Sequence, residues 1–326
     1  MAKARITGTG SYLPEKILTN AEIATFLDTS DEWITTRTGI RERRIAADNE
    51  VTSDLAVRAA LAALEMAGVA AAELDQIIVG TITGDYPWPA TACVVQHKLG
   101  ASKAYAYDVS AACSGFVYAL TNAMQAIESG AAKKILVIGA EVLSRAIDWT
   151  DRNTCVLFGD GAGAVILEAT EGDRCILSSH LHSDGAYLEL LYQPGFGAMH
   201  PPSEQGLKDR LVYLQMQGND VYKVAVRSLS EVALESLAAN GLQPSDLALF
   251  IPHQANRRIL EASAKRIGLR DDQVFINVDR YGNTSGATIP IALDEAFRQG
   301  RIKDGDLIMF DAFGGGFTWG AVLVRW

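Results

Sequence analysis

The sequence is short of anything that would build a metal centre or a covalent framework. Its four cysteines, Cys93, Cys113, Cys155 and Cys175, form no C-x-x-C pair and no paired cysteine–histidine ligand spacing, so no metal site is expected. Basic residues are also in deficit: 29 stand against 39 acidic ones, for a formal net charge of −10. Long-range attraction therefore opposes a polyanion, and no reading motif offers a nucleic-acid partner. No run approaches the roughly 18 consecutive apolar residues of a membrane span. The opening Met1-Ala2-Lys3-Ala4-Arg5-Ile6 lacks the apolar stretch and cleavage site of a signal peptide. The expectation is a cytoplasmic protein with no membrane partner, where disulfides have no place.

What is present is an ordinary globular composition, with 326 residues, 48% of them hydrophobic and 21% charged. That is enough chain for a continuous core. The chain also repeats itself. Asp108 and Asp279 lie 171 positions apart, as do Ser114/Ser285 and Gly115/Gly286, while Ala126–Gly130 parallels Ala296–Gly300 at an offset of 170. The apolar runs Ile135–Ile138 and Leu307–Phe310 follow in the same order, and Phe158–Gly163 resembles Phe313–Gly316. A duplicated unit is expected, with halves at 1–172 and 173–326.

Each half alternates strand and helix signals, which implies parallel or mixed sheets covered by helices. Leu74–Val79 and Leu247–Ile251 are short apolar runs of buried-strand type. Ser53-Asp54 opens a helix over Leu55–Ala67 that Gly68 closes, and a second helical pattern covers Val221–Ala239. The segment Tyr192–Gln217, with Pro194, Gly195, Gly197, Pro201, Pro202 and Gly206, fits neither period and reads as a long insertion.

Cys113 differs from the other cysteines in its setting. It follows a strand signal, Tyr107-Asp108-Val109, and precedes a helical pattern through Phe116, Leu120, Met124 and Ile127 that ends at Gly130. At such a helix start, free N–H groups and the positive dipole end are expected to favour thiolate. Small neighbours, Ala111, Ala112, Ser114 and Gly115, leave room for an acyl group on sulfur. His253, just past the strand Leu247–Ile251, stands at the same end of the second half. Asn283, in Gly282-Asn283-Thr284-Ser285-Gly286, lies one repeat distance from Ala112. Gly314-Gly315-Gly316 offers unhindered backbone N–H groups for an oxyanion. The glycine-rich Gly159–Gly163 precedes a strand instead of following one, which excludes a dinucleotide fingerprint.

Taken together, these segments resemble the β-ketoacyl-acyl-carrier-protein synthase III family of the thiolase superfamily. The likeness is carried by Ser30–Ile34 with Arg37–Ile40, Asp108–Gly115, Phe158–Gly163, Gly218-Asn219, Pro252-His253-Gln254-Ala255-Asn256, Gly282–Ser285 and Ala312–Gly320. It implies an α/β protein with the thiolase-like duplicated αβαβα layered fold, a homodimer, and a catalytic triad of Cys113, His253 and Asn283. It also implies an acyl-cysteine intermediate and decarboxylative condensation of a short acyl-CoA with malonyl-acyl-carrier protein. Coenzyme A is then a substrate, with no resident cofactor.

By the same resemblance, the amides of Cys113 and Gly315 form the oxyanion hole. Trp33 and Arg152 flank the adenine, Arg37 reaches phosphate, and Gly218 and Asn256 line the pantetheine tunnel. Lys223, Gln254, Arg258, Lys265 and Arg266 meet the carrier, and Trp88 fills an acyl pocket, in relatives from across the dimer. Two other readings remain open at this point: an acyltransferase of specialised biosynthesis, and a catalytically silent partner subunit.

Overall fold

The structure, a computed structural model, describes residues 2–326. The first half builds a five-stranded sheet from β1 (Lys3–Tyr12), β2 (Gln76–Gly80), β3 (Tyr105–Val109), β4 (Lys134–Val142) and β5 (Asp160–Thr170), in the order β1-β5-β4-β2-β3. The second builds a four-stranded sheet from β6 (Ile176–Ser183), β7 (Leu249–Pro252), β8 (Leu307–Gly314) and β9 (Thr318–Arg325), in the order β7-β8-β9-β6. In the first sheet β3, β2 and β4 run parallel, in the second β7 and β8 do, and the other neighbouring strands pair antiparallel.

Helices occupy three layers around these two sheets. The outer face of the first sheet is covered by α1 (Thr52–Ala67), whose Leu55, Ala56, Ala59, Ala60, Ala63 and Leu64 fall at helical spacing and are all buried. Gly68, in the left-handed conformation, ends it as the sequence suggests. Between the sheets lie α2 (Gly115–Glu128) and, from the second half, a shorter helix introduced below. The outer face of the second sheet carries α3 (Gly218–Ala239) and α4 (Arg257–Ile267). The last helix, α5 (Thr288–Arg298), shares the middle layer with α2. The result is the expected αβαβα stack.

Burial on both faces explains why the strands read as continuous apolar runs. Ile135 and Val137 of β4 face the central helices, while Leu136 and Ile138 face α1.

The repeat is present, but its register differs from the one suggested by matching letters. Gln76 pairs with Ile135 in the first sheet and Leu249 with Ile308 in the second, which sets the offset at 173 instead of 171. The helix starts agree: the two left-handed non-glycine residues there, Ala112 (φ 45°) and Ser285 (φ 50°), are also 173 apart. The offset falls to 170 at Gly130 and Gly300, because α5 has 11 residues where α2 has 14. The matched identities Ser114/Ser285 are therefore not equivalent positions, and Asn283 corresponds to Ser110 instead of Ala112. Phe158–Gly163 and Phe313–Gly316 are not equivalent either: the first leads into β5, whereas the second closes β8. The counterpart of β3 has shrunk to a single bridge between Phe250 and Val274.

Candidate active site

Cys113 lies in the 3-10 turn Ala112–Ser114 that feeds α2, directly after the left-handed Ala112. The thiol is buried, and burial pushes it up to about 12; nearby Glu141 adds to the rise, while a hydrogen bond from Ser285 opposes it. This reverses the expectation that the helix start would leave a thiolate. Removal from water outweighs the dipole, so the resting group is a thiol.

His253 follows β7, its N–H donating to the carbonyl of Asp311 on β8 at 2.7 Å. Its ring is buried, and that burial pushes the imidazole down to about 3, so it is neutral. Nδ1 lies 2.7 Å from the Thr288 hydroxyl at the start of α5.

Asn283 is clamped by backbone on both sides. Its N–H donates to Leu157 O at 2.8 Å, and its carbonyl accepts from Gly159 N–H at 3.0 Å. The Phe158-Gly159 motif thus holds the asparagine loop in place. Asn283 Oδ1 accepts the Ser285 N–H at 2.8 Å, which fixes the amide and leaves its NH₂ as the free end.

Cys113, His253, Asn283, Ser285 and Gly315 all line one cavity of about 570 Å³. Gly314 sits against the nucleophile turn so closely that a Cβ there would lie 2.7 Å from Cys113 N. Cys113, His253, Asn283 and the glycine turn therefore converge on one cavity.

Two groups at the base of this site escape a reading of the sequence. Glu141, wholly buried at the end of β4, accepts from the Thr81 and Thr83 hydroxyls, the Ile82 and Thr83 amides and the Ser285 hydroxyl. Burial pushes its carboxyl up to about 7 against the pull of those donors. Its signal was a single acid in the apolar stretch Lys134–Val142. The second, Thr288, looked like an ordinary helix-start residue.

The cavity opens past Trp33, Arg37, Gly218 and Asn256, which all line it. The Arg37 and Arg152 guanidiniums lie 4.4 and 4.7 Å from the Trp33 ring centroid. Arg152 is not part of the cavity wall; it rests on Trp33 and donates to Asp28 O at 2.6 Å. An adenine between Trp33 and Arg152 would have to displace that guanidinium. Asn256 caps α4, its Oδ1 accepting from Arg258 N–H and its Nδ2 donating to Arg37 O at 3.2 Å. It thereby ties α4 to the short helix Asp31–Thr38 that carries Trp33.

The carrier-facing set divides. Arg258 lines the cavity and stacks near Tyr222, while Lys223 is exposed beside it, paired with Asp220 at 3.0 Å. Lys265 and Arg266 are exposed at the far end of α4, about 10 Å along the helix from Arg258. Gln254 does not belong with them. It is buried, its amide N–H groups donating to Pro252 O and Phe275 O and its Oε1 accepting from Asn277 N–H. A carrier cannot touch it; it braces the His253 loop. Trp88 is 84% exposed and lines no part of the cavity of its own chain. The insertion is a wall of the site: Tyr192, Gln193, Leu214 and Met216 face the cavity, and a two-stranded ribbon of Leu191–Tyr192 and Gln215–Met216 holds its ends.

Comparison with known proteins places these features. Residues 107–185 match the family model described as 3-Oxoacyl-[acyl-carrier-protein (ACP)] synthase III, and residues 237–326 match its C terminal counterpart. A protein of Xanthomonas campestris pv. campestris named Beta-ketoacyl-[acyl-carrier-protein] synthase III is 57% identical, over 99% of this chain and 98% of its own. A protein of that name from Caldanaerobacter subterraneus subsp. tengcongensis is 52% identical over the same shares. The crystal structure of 3-oxoacyl-[acyl-carrier-protein] synthase III from Aquifex aeolicus VF5 superposes with a TM-score of 0.93 at 50% identity, covering 99% of this chain and all of that one.

Proposed function

The chain belongs to the 3-oxoacyl-[acyl-carrier-protein] synthase III family, and from that premise we propose how its own residues carry out the condensation that starts fatty-acid synthesis. The enzyme is a condensing acyltransferase. It joins an acyl group delivered by coenzyme A to the two-carbon unit of malonyl-acyl-carrier protein, releasing CO2 and CoA.

The observation that carries the residue assignment is the meeting of Cys113, His253 and Asn283 on one cavity wall. In the first half-reaction the Cys113 sulfur attacks the acyl thioester, with the Cys113 and Gly315 amides facing the oxyanion. The carbon–sulfur bond to CoA breaks, and the thiol proton ends on the CoA sulfur. In the second, His253 and Asn283 donate hydrogen bonds to the malonyl thioester oxygen, so negative charge gathers there as CO2 leaves. The resulting carbanion attacks the acyl-cysteine, and the Cys113 sulfur departs as 3-oxoacyl-carrier protein forms. Neutral His253 suits donation, and Asn283 is already oriented by Ser285.

Trp33, Arg37, Arg152, Gly218 and Asn256 are read as the path for coenzyme A, and Lys223, Arg258, Lys265 and Arg266 as the face for an acidic carrier. A small acyl primer, acetyl above all, is part of this proposal, with coenzyme A as substrate and no resident cofactor. No helix among the described residues is long and apolar enough to cross a membrane, in keeping with a cytoplasmic enzyme. A homodimer belongs to the same proposal: β3 is an open sheet edge, and the exposed Trp88 would find cover in a partner.

Incubation with isotope-labelled acetyl-CoA followed by peptide mapping tests the assignment. The acetyl group is expected on Cys113, and Cys113→Ala should abolish condensation. Label on Cys93, Cys155 or Cys175 would remove Cys113 from the mechanism.

A further inference from the structure

A neutral imidazole carries one N–H, and which nitrogen holds it decides what His253 can do. If Nε2 carries the hydrogen, the ring offers a donor to the cavity; if Nδ1 carries it, the cavity faces a bare acceptor. The second half-reaction requires the donor. Nothing on the His253 ring itself holds the required tautomer, so it can be held only through the partner of Nδ1.

That partner is the Thr288 hydroxyl, at 2.7 Å. The hydroxyl has one hydrogen and two places to send it, Nδ1 and the Ser285 carbonyl at 3.0 Å. The Ser285 carbonyl already accepts the Thr288 backbone N–H. Nδ1 has no other partner, and its contact is the shorter of the two. Both oxygens and the ring nitrogen are buried, where an unpaired acceptor is costly. Both tautomers pair Nδ1 with the hydroxyl, since a protonated Nδ1 would donate to it and the hydroxyl to the carbonyl. The donor that the second half-reaction needs at Nε2 selects the arrangement in which the hydroxyl donates to Nδ1, and the carbonyl stays paired with the Thr288 N–H. We propose that Thr288 is a positioning residue that donates its hydroxyl hydrogen to Nδ1 and so holds His253 with its N–H on Nε2, facing the cavity.

The backbone supports this placement. Thr288 is the first residue of α5, directly behind the 3-10 turn Ser285–Ala287 that begins with left-handed Ser285. The turn that aims Asn283 through the Ser285 amide therefore also aims the Thr288 hydroxyl at the histidine. One short segment orients both donors of the second half-reaction.

The inference rests on the mechanism given above for that half-reaction, so its test has a readout independent of turnover. Nitrogen-15 NMR of the histidine-labelled full-length protein distinguishes the two imidazole nitrogens, and loss of one signal set in His253→Gln assigns them among the five histidines. In the wild type, Nε2 is expected to be the protonated nitrogen. Thr288→Val, which keeps the shape and removes the hydroxyl, should shift the tautomer and lower condensation roughly tenfold, the order of one lost hydrogen bond. Acetyl transfer to Cys113 should change much less. Thr288→Ser should restore the wild-type tautomer and rate. A wild-type spectrum with the proton on Nδ1 would overturn the proposal whether or not the valine variant folds. So would a valine variant whose tautomer and condensation match the wild type. Failure of wild-type Cys113 to take acetyl would instead count against the mechanism and leave the tautomer result standing.

Discussion

In each half the chain turns through a left-handed residue that is not glycine and a helix enters the middle layer, after strand β3 in the first half and after only the bridge at Val274 in the second. The first half does this at Ala112 and the second at Ser285. The next residue is Cys113 in one case and Gly286 in the other. The same exchange occurs at the ends of the parallel strands β2 and β7, where His253 in the second half has Gly80 as its counterpart, 173 positions earlier. The thiol and the imidazole thus each correspond to a glycine in the other half, while Asn283 corresponds to Ser110. The reason is crowding where the halves meet: a Cβ on Gly80 would lie 2.5 Å from Gly115 C, and one on Gly286 would lie 3.3 Å from Gly80 O. The seam between the halves holds one thiol and one imidazole, with backbone filling the places of their duplicates.

The largest expected effect tests this asymmetry through the chemistry. His253→Ala and Asn283→Ala should each lower condensation by about 10²–10³, the usual cost of one lost oxyanion donor, while Cys113 still takes acetyl. Ser110→Ala, at the counterpart of Asn283, should cost far less. Steady-state rates beside acyl-enzyme yields would show it, and wild-type condensation in either triad variant would remove that residue from its role.

The next effect is on stability. Gly139 corresponds to Ala312, yet a Cβ on Gly139 would lie 2.1 Å from Gly286 O. Gly139→Ala should therefore cost about 3 kcal/mol, the upper end for overpacking, and Gly286→Ala closer to 1 kcal/mol. Urea midpoints for the two variants measure the difference. Equal, small losses would mean that the seam is looser than its distances.

The smallest effect is acid sensitivity confined to one half. His253 in the folded protein holds its proton only below about 3, against an ordinary value of 6.5. The unfolded chain therefore binds a proton that the folded chain refuses. The contribution is fully present above 6.5, falls as pH drops, and bottoms out near 3. At pH 5 the loss is about 2 kcal/mol. His253→Gln should remove that part of the pH dependence, because Gly80, in the matching place, has nothing to titrate. An unchanged slope between pH 7 and 5 in the variant would place the proton uptake elsewhere.

Much of this architecture was legible because local and global signals agree. The cap at Gly68, the helical spacing of Leu55–Leu64 and the doubly buried run Ile135–Ile138 each announce their element. Cys113 and His253 could each be placed just past the end of a strand from those patterns alone. The exact register of the duplication could not. Left-handed Ala112 and Ser285 bear no glycine to announce them, so identical serines at 114 and 285 drew the alignment two residues off. Gln254 reads as a polar residue beside a catalytic one, and only the fold reveals that all its hydrogen bonds turn inward. The thiol illustrates a competition between two physical effects: the helix start is visible in sequence, but the depth of burial that overrides it is a property of packing.

The glycines opposite Cys113 and His253 also make the two halves non-interchangeable. A symmetric assembly of two first halves would set two thiols at the seam with no imidazole, and two second halves would set two imidazoles with no thiol. Neither arrangement completes the chemistry, and restoring either missing side chain in place would drive it into backbone. Each half therefore relies on the other for the side chain that its own position 80 or 286 does not carry.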